Sequence, residues 1–292
     1  MQEMQFDILI VGAGPAAYTA AIYSQRANIK VGMLIGTEPG GQLMKTTAIE
    51  NYPGFIGNDP MSAWRLIEIM QEQCKDILQI PEYAEMLTIN PILINKKYST
   101  KALIIATGST AKVLGLENEY LGYGISTCAT CDGPLYKNKT AIIVGGGNTA
   151  VESAIYLENI CKEVILVHRG KNLRADMILQ TKLRKTQLIL ENEVTKYNFD
   201  INKQLRSVFL KKDTILKVDA VFLCVGHTPN TNWCNNYIKT NHGYIENAPI
   251  TEIPGIFAAG EVADSRYKQA ITSAGQGCAA AIDAIRYINT IK

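Results

Sequence analysis

One local pattern, written twice, constrains this chain more than anything else in it. FDILIV (6–11) is a short apolar run that breaks into Gly12-Ala13-Gly14-Pro15-Ala16-Ala17 and continues as an alanine-rich stretch. AIIV (141–144) breaks into Gly145-Gly146-Gly147-Asn148-Thr149-Ala150 and continues the same way. Each reads as a buried parallel strand, a tight turn and a helix. The first glycine of such a turn permits the bend and the second lets a pyrophosphate approach the backbone. The small third position lets helix and strand pack closely, and phosphate then rests on free N–H groups at the helix start. The parallel extends downstream, where LIIATGS (103–109) matches VFLCVGHTPN (221–230) and VILVHR (164–169) supplies a third strand of the second copy. Gly12 to Gly108 is 108 − 12 = 96 residues, and Gly145 to Gly226 is 226 − 145 = 81. The expected fold is therefore α/β, with two Rossmann-like dinucleotide-binding domains in three layers, the second inserted into the first. Residues 1–112 and 238–292 form the discontinuous domain and 113–237 the inserted one.

The rest of the composition removes alternatives. At 292 residues, 47% hydrophobic and 19% charged, the chain is that of a soluble globular protein. A formal net charge of +2 gives no basic field, so nucleic acid is not an expected partner. No apolar run approaches the roughly 20 residues that span a bilayer. The start MQEMQFDILIVGAG carries two acids and runs straight into a strand, unlike a secretory signal. The cytosol is the expected location, and no membrane association is expected. Seven cysteines, most of them scattered singly through apolar stretches, do not describe a secreted disulfide scaffold. Only Cys128 and Cys131, in STCATCDGPLY (126–136), form a close pair. Half a zinc site is the competing reading, but no second close pair exists and His168, His227 and His242 are isolated, so no metal is expected. Asp132, directly behind the pair, is either a proton carrier or a turn residue before Gly133-Pro134.

The end of the second strand of each copy meets the adenosine ribose, where a carboxylate suits a free 2′-hydroxyl and cations suit a 2′-phosphate. In the inserted copy that strand ends in His168-Arg169-Gly170-Lys171-Asn172-Leu173-Arg174, with no acid, which favours NADPH over NADH. In the outer copy KVGMLIG runs into Gly36-Thr37-Glu38-Pro39-Gly40-Gly41-Gln42-Leu43, a loop suited to passing a bulky ligand. Near the C-terminus IFAAGEV (256–262) is another buried strand ending in glycine and acid. It leads into YKQAITSAGQGCAAAIDAIRYI, a small-residue helix able to pack on a flat group. The outer domain suits FAD.

The motifs GxGPAA, GGQL, ENYPG, IIATG, CATCDG, GGGNTA, FAAGEV and YKQAITSAGQGCAAAIDA occur in the order found in bacterial-type, low-molecular-weight thioredoxin reductases, of the class II pyridine nucleotide-disulfide oxidoreductases. The chain resembles that family over nearly its whole length. The resemblance implies hydride transfer from NADPH to FAD, reduction of the Cys128–Cys131 disulfide, and dithiol exchange with thioredoxin. Cys131 would face the flavin, Cys128 would attack thioredoxin, and Asp132 would give and take the proton. It places FAD on Gly12, Gly14, Pro15 and Ala16, on Gly36, Thr37, Glu38, Gly40, Gly41, Gln42 and Leu43, and on Asn51, Thr107 and Gly108. Gly260, Glu261, Lys268, Gln269, Ala270 and Ile271 complete that set. It places NADPH on Gly145, Gly147, Asn148, Thr149 and Glu152, and on His168, Arg169, Arg174 and Gly226. It further implies a homodimer and a rotating inserted domain, with connections near Lys112–Leu116 and Asn235–Lys239.

Three departures stand out. Gly170 replaces an arginine of the usual His-Arg-Arg, which implies that NADPH is still preferred but by a smaller margin. Glu261 replaces the aspartate of FAAGD, so a longer stem must bend to reach a ribityl hydroxyl. Residues 75–102 are short for the family, and MLTINPILINKKYSTKAL (86–103) reads as short strands with a turn at Asn90-Pro91. A related flavin-dependent dithiol oxidase and a flavin redox sensor without turnover are the alternative readings. A ferredoxin–NADP reductase would lack Cys128 and Cys131, and an alkyl-hydroperoxide reductase subunit would carry an additional N-terminal domain.

Overall fold

The structure, a computed structural model, describes residues 3–37, 39–45, 49, 51–55, 62–115 and 120–291. It divides into two compact units. One gathers Met1–Met44, Tyr52–Thr110 and Thr228–Lys292; the other holds Ala111–His227, with Lys45–Asn51 grouped beside it. The chain passes between them after Thr110 and after His227, and Asn235–Lys239 lies inside the first unit.

In the first unit Met4–Val11 lies between Val31–Leu34 and Tyr98–Ile105, parallel to both, with Val11 opposite Leu34 on one side and Ile105 on the other. Ile8, Leu9, Ile10 and Val11 are all buried, as their unbroken apolar pattern requires of a strand covered on both faces. Leu78–Ile80 extends the sheet at one edge. Leu93–Ile94 and Leu87–Thr88 extend it antiparallel at the other, and Ile256–Ala258 also pairs with Tyr98–Ile105. The short strands expected between residues 86 and 103 include Leu87–Thr88 and Leu93–Ile94, which flank Asn90-Pro91, whose peptide is cis. The fingerprint helix Pro15–Gln25 packs on the C-terminal helix Ala270–Thr290. Its alanines, and Gly277 opposite, permit that approach: a Cβ at 277 would collide with the Ala16 backbone.

The second unit repeats the plan. Thr140–Gly145 lies between Glu163–Val167 and Ala220–Cys224, with Gln187–Ile189 at one edge and Ile125–Ser126 at the other, all parallel. A separate antiparallel sheet runs Val194–Phe199, Leu205–Leu210 and Ile215–Lys217. The edge strand Ile125–Ser126 delivers the chain directly to Cys128. Among the described residues no helix is long and apolar enough to cross a membrane.

Candidate active site

Cys128 and Cys131 are joined as a disulfide, with sulfurs 2.10 Å and Cα atoms 5.3 Å apart. They bracket the start of the short helix Ala129–Asp132, and Cys128 is its N-cap. Cys128 Sγ accepts the Cys131 backbone N–H at 3.2 Å and lies 3.4 Å from the Thr130 hydroxyl. Ser126 Oγ accepts the Cys128 N–H at 3.0 Å. The next carboxylate, Asp132, is buried at 7% exposure. Gly133 follows because the turn presses on the fingerprint helix of this unit, where a Cβ would come within 2.8 Å of Leu157. Tyr136 lies close by, and burial pushes its phenol up to about 12, with the charges of Asp132 and Asp219 adding to the effect.

The remaining buried thiols are held out of chemistry. Burial pushes Cys74 and Cys234 up to about 12 and Cys224 to about 11, so each stays protonated near neutrality. Among the described residues no group of three or more metal-ligating side chains comes together.

Both fingerprint turns fit phosphate. The helices Pro15–Gln25 and Asn148–Leu157 begin at Gly14 and Gly147, and neither start is capped by a side chain or carries an acid in its first turn. A Cβ at Gly14 or at Gly147 would meet nothing within 4 Å, so the space before each helix is free. Orphan N–H groups facing open space suit a dinucleotide pyrophosphate. Gly12 and Gly145, with φ of +135° and +156°, have no such freedom, since a Cβ would strike the carbonyls of Ala106 and Cys224.

Around the second turn the strand ends at Val167, two residues earlier than VILVHR suggests, and the buried ring of His168 lies under the glycines. A Cβ at Gly146 would overlap that ring, and one at Gly170 would come within 2.9 Å of its Nε2. Burial lowers the His168 pKa, and the charges of Arg174 and Arg169 lower it further, so the imidazole is neutral near pH 7. The Arg174 and Ala175 N–H groups both donate to the Gly146 carbonyl, at 2.6 and 3.1 Å, which folds the basic turn back over the fingerprint. Asn148 and Asp176 exchange two hydrogen bonds at the helix start, 2.8 and 2.9 Å. Gly226, with φ +103°, accepts the Lys112 N–H at 2.9 Å. Thr149 and Glu152 sit in the first turn and a half of Asn148–Leu157.

Around the first turn the Gly40 N–H donates to the Ala13 carbonyl at 2.8 Å, and Gly41 lies against Gly14. This seats the Gly40-Gly41-Gln42-Leu43 loop beside the fingerprint. Gly36 packs on Tyr83, whose hydroxyl is 3.0 Å from that of Thr37. Thr107 and Gly108 are tied to Asn230 by three hydrogen bonds, 2.8 to 3.0 Å. Gly260 donates its N–H to Gln276 at 2.9 Å, and Glu261 accepts from Ser109 at 2.7 Å. Lys268 precedes Gln269, the N-cap whose box with Thr272 starts the helix carrying Ala270 and Ile271. Glu38 and Leu116 lie outside the described residues, and Asn51 is grouped with the second unit.

Residues 6–277 match the family model of pyridine nucleotide-disulphide oxidoreductases. The chain belongs to that family. It is 41% identical to the thioredoxin reductase of Buchnera aphidicola from Acyrthosiphon pisum, over 97% of each chain. It is 42% identical to that of Coxiella burnetii, over 98% of this chain and 97% of the relative. A Pseudomonas fluorescens protein named glucosaminate ammonia-lyase is 40% identical, over 98% of this chain and 96% of its own. Among solved structures, thioredoxin reductase from Streptococcus pyogenes superposes with a TM-score of 0.88 at 32% identity, covering 99% of this chain and 100% of its own.

Ser109, Gln276, Thr130 and Gly146 contact candidate site residues, and sequence reasoning did not single them out. Of these only Gly146 carried a local signal, an extra glycine between the two that the fingerprint needs.

Proposed function

We propose that this chain is an NADPH-dependent, FAD-containing thioredoxin-disulfide reductase, the reading carried by the Cys128–Cys131 disulfide and the buried acid behind it. Its first unit holds FAD, on the residues assembled around Gly12–Ala16, Gly36–Leu43, Thr107–Gly108 and Gly260–Ile271. Its second holds NADPH on Gly145–Glu152, Gly226 and the turn His168–Arg174. Bound FAD supplies a two-electron acceptor for hydride from NADPH and a two-electron donor to a disulfide.

The chain's own residues do the rest. A thiolate is the exchanging species, and Cys128 is the sulfur that meets donors, the Cys131 N–H and the Thr130 hydroxyl. Those donors would hold a thiolate at Cys128 once the disulfide is opened, which suits it as the nucleophile toward thioredoxin. Cys131 then closes on the mixed disulfide and expels the reduced partner. Asp132 carries the proton that the leaving thiol takes up. Arg169, Arg174 and Lys171 would supply cations for a 2′-phosphate, with His168 neutral beside them. A dithiol pair with a neighbouring acid suits disulfide exchange rather than release of ammonia, which sets the lyase name of one relative apart. The proposal extends to a cytosolic homodimer, and light scattering on the purified protein reads its mass.

The test mixes protein, NADPH and a thioredoxin and follows a disulfide reporter. Activity is expected, with Cys128→Ser lowering it at least about a thousandfold while FAD stays bound. Bound FAD that NADPH does not bleach would instead favour the sensor reading, and flavin reoxidised by oxygen with no reporter reduction the dithiol oxidase.

A further inference from the structure

The acid after Gly260 does not stand alone. Glu261 is half-buried, and its Oε2 accepts a hydrogen bond from Ser109 Oγ at 2.7 Å. Ser109 is itself 3% exposed, so the hydroxyl has no water to fall back on. The Ser109 carbonyl in turn accepts from the Gln42 side chain. One serine therefore joins three segments that the sequence scatters: the glycine loop at 40–43, the short strand Ser109–Ala111 that starts after Gly108, and the turn at Gly260, φ +81°. Burial raises the pKa of Glu261, while Ser109 and the charge of Lys268 act to keep it ionised.

We propose that Ser109 is a positioning residue: its hydroxyl bends the long Glu261 side chain into the one orientation from which the carboxylate accepts a hydroxyl of bound FAD. Glutamate carries one more rotatable bond than aspartate, and an untethered stem spreads over several rotamers. A buried donor to one carboxylate oxygen selects among them and leaves the other oxygen to the ligand. Aspartate at 261 would be shorter by about one carbon–carbon bond, ~1.5 Å, and would lie beyond that donor. The inference rests on the FAD reading above, and it makes a claim that reading does not: Ser109 matters only because residue 261 is glutamate.

Titrating FAD into flavin-stripped protein, followed by quenching of flavin fluorescence, tests it in two backgrounds. Ser109→Ala is expected to weaken FAD binding about tenfold when residue 261 is Glu, the size expected for a lost bond to a charged group. In a Glu261→Asp background the same change is expected to alter binding by less than about twofold. Equal loss in both backgrounds, or none in either, overturns the inference. A wild-type chain that takes up no FAD overturns the flavoprotein reading itself, a result distinct from either. Thermal melting of the flavin-free proteins checks folding. If Ser109→Ala fails that check, Ser109→Cys keeps the volume with a weak donor and carries the same two-background comparison.

Discussion

At Gly12 and at Gly145 the chain makes the same turn, and the two turns differ in what stands beside them. Both glycines sit at positive φ against a strand carbonyl, and both helices start uncapped from a glycine with extended backbone. Beside the first turn stand other backbones: the 40–43 loop through Gly40 and Ala13, and the C-terminal helix through Gly277 and Ala16. Beside the second stands a side chain, His168, and above it an exposed basic turn. The turn geometry suits pyrophosphate in either case. Its neighbours decide whether the rest of the ligand is enclosed by packed chain, as suits a resident cofactor, or met by solvated charge, as suits a nucleotide that must come and go.

That contrast breaks first if the two first glycines prove interchangeable. Gly12→Ala is expected to abolish FAD uptake and Gly145→Ala to leave FAD bound while NADPH no longer bleaches it. Each places a Cβ on a carbonyl at a φ that costs about 1–3 kcal/mol in backbone strain alone. Flavin absorbance before and after NADPH reads both. A smaller effect sharpens the solvated side: Arg174→Ala is expected to raise KM for NADPH about tenfold and leave that for NADH within about twofold, measured by steady-state kinetics with each nucleotide.

The smallest effect concerns how the second helix ends. Glu158, at the end of Asn148–Leu157, is buried and accepts hydrogen bonds from the N–H groups of Arg184, Lys185 and Thr186 and from the Thr186 hydroxyl. Burial would raise its pKa, but these bonds outweigh burial and hold it below the ordinary value. Among the described residues no carboxylate does this for Pro15–Gln25. A depressed carboxylate stabilises the fold above its unfolded pKa, and that contribution goes as pH falls through the lower folded value. Glu158→Gln is expected to cost about 1–2 kcal/mol at pH 7, and thermal melts of mutant and wild type should draw together as pH falls below the ordinary carboxylate range and through the lowered folded value.

Both turns, the strands before them and the small-residue C-terminal helix were legible because their signals are local: apolar runs, glycines, alanines. CATCDG was legible as a close cysteine pair with an acid behind it, and the family resemblance implied its disulfide. Other features depend on residues far apart. Ser109 and Glu261 are 152 positions apart, and nothing in ATGST says which acid its serine will meet. Glu158 reads as a solvated helix end until the loop 26 to 28 residues later closes on it. The strand ending at Val167 was read two residues too long because His168 is apolar in use, its ring buried, though not in type.

The imidazole between Gly146 and Gly170 bears on ancestry as well as on binding. An arginine at 170 would bring a Cβ within 2.9 Å of a ring that Gly146 already hems in from the other side. The atom it would meet is the far end of a side chain, so a small turn of the imidazole would admit it. Glycine and arginine at 170 are thus one substitution and one side-chain shift apart, a step open in either direction.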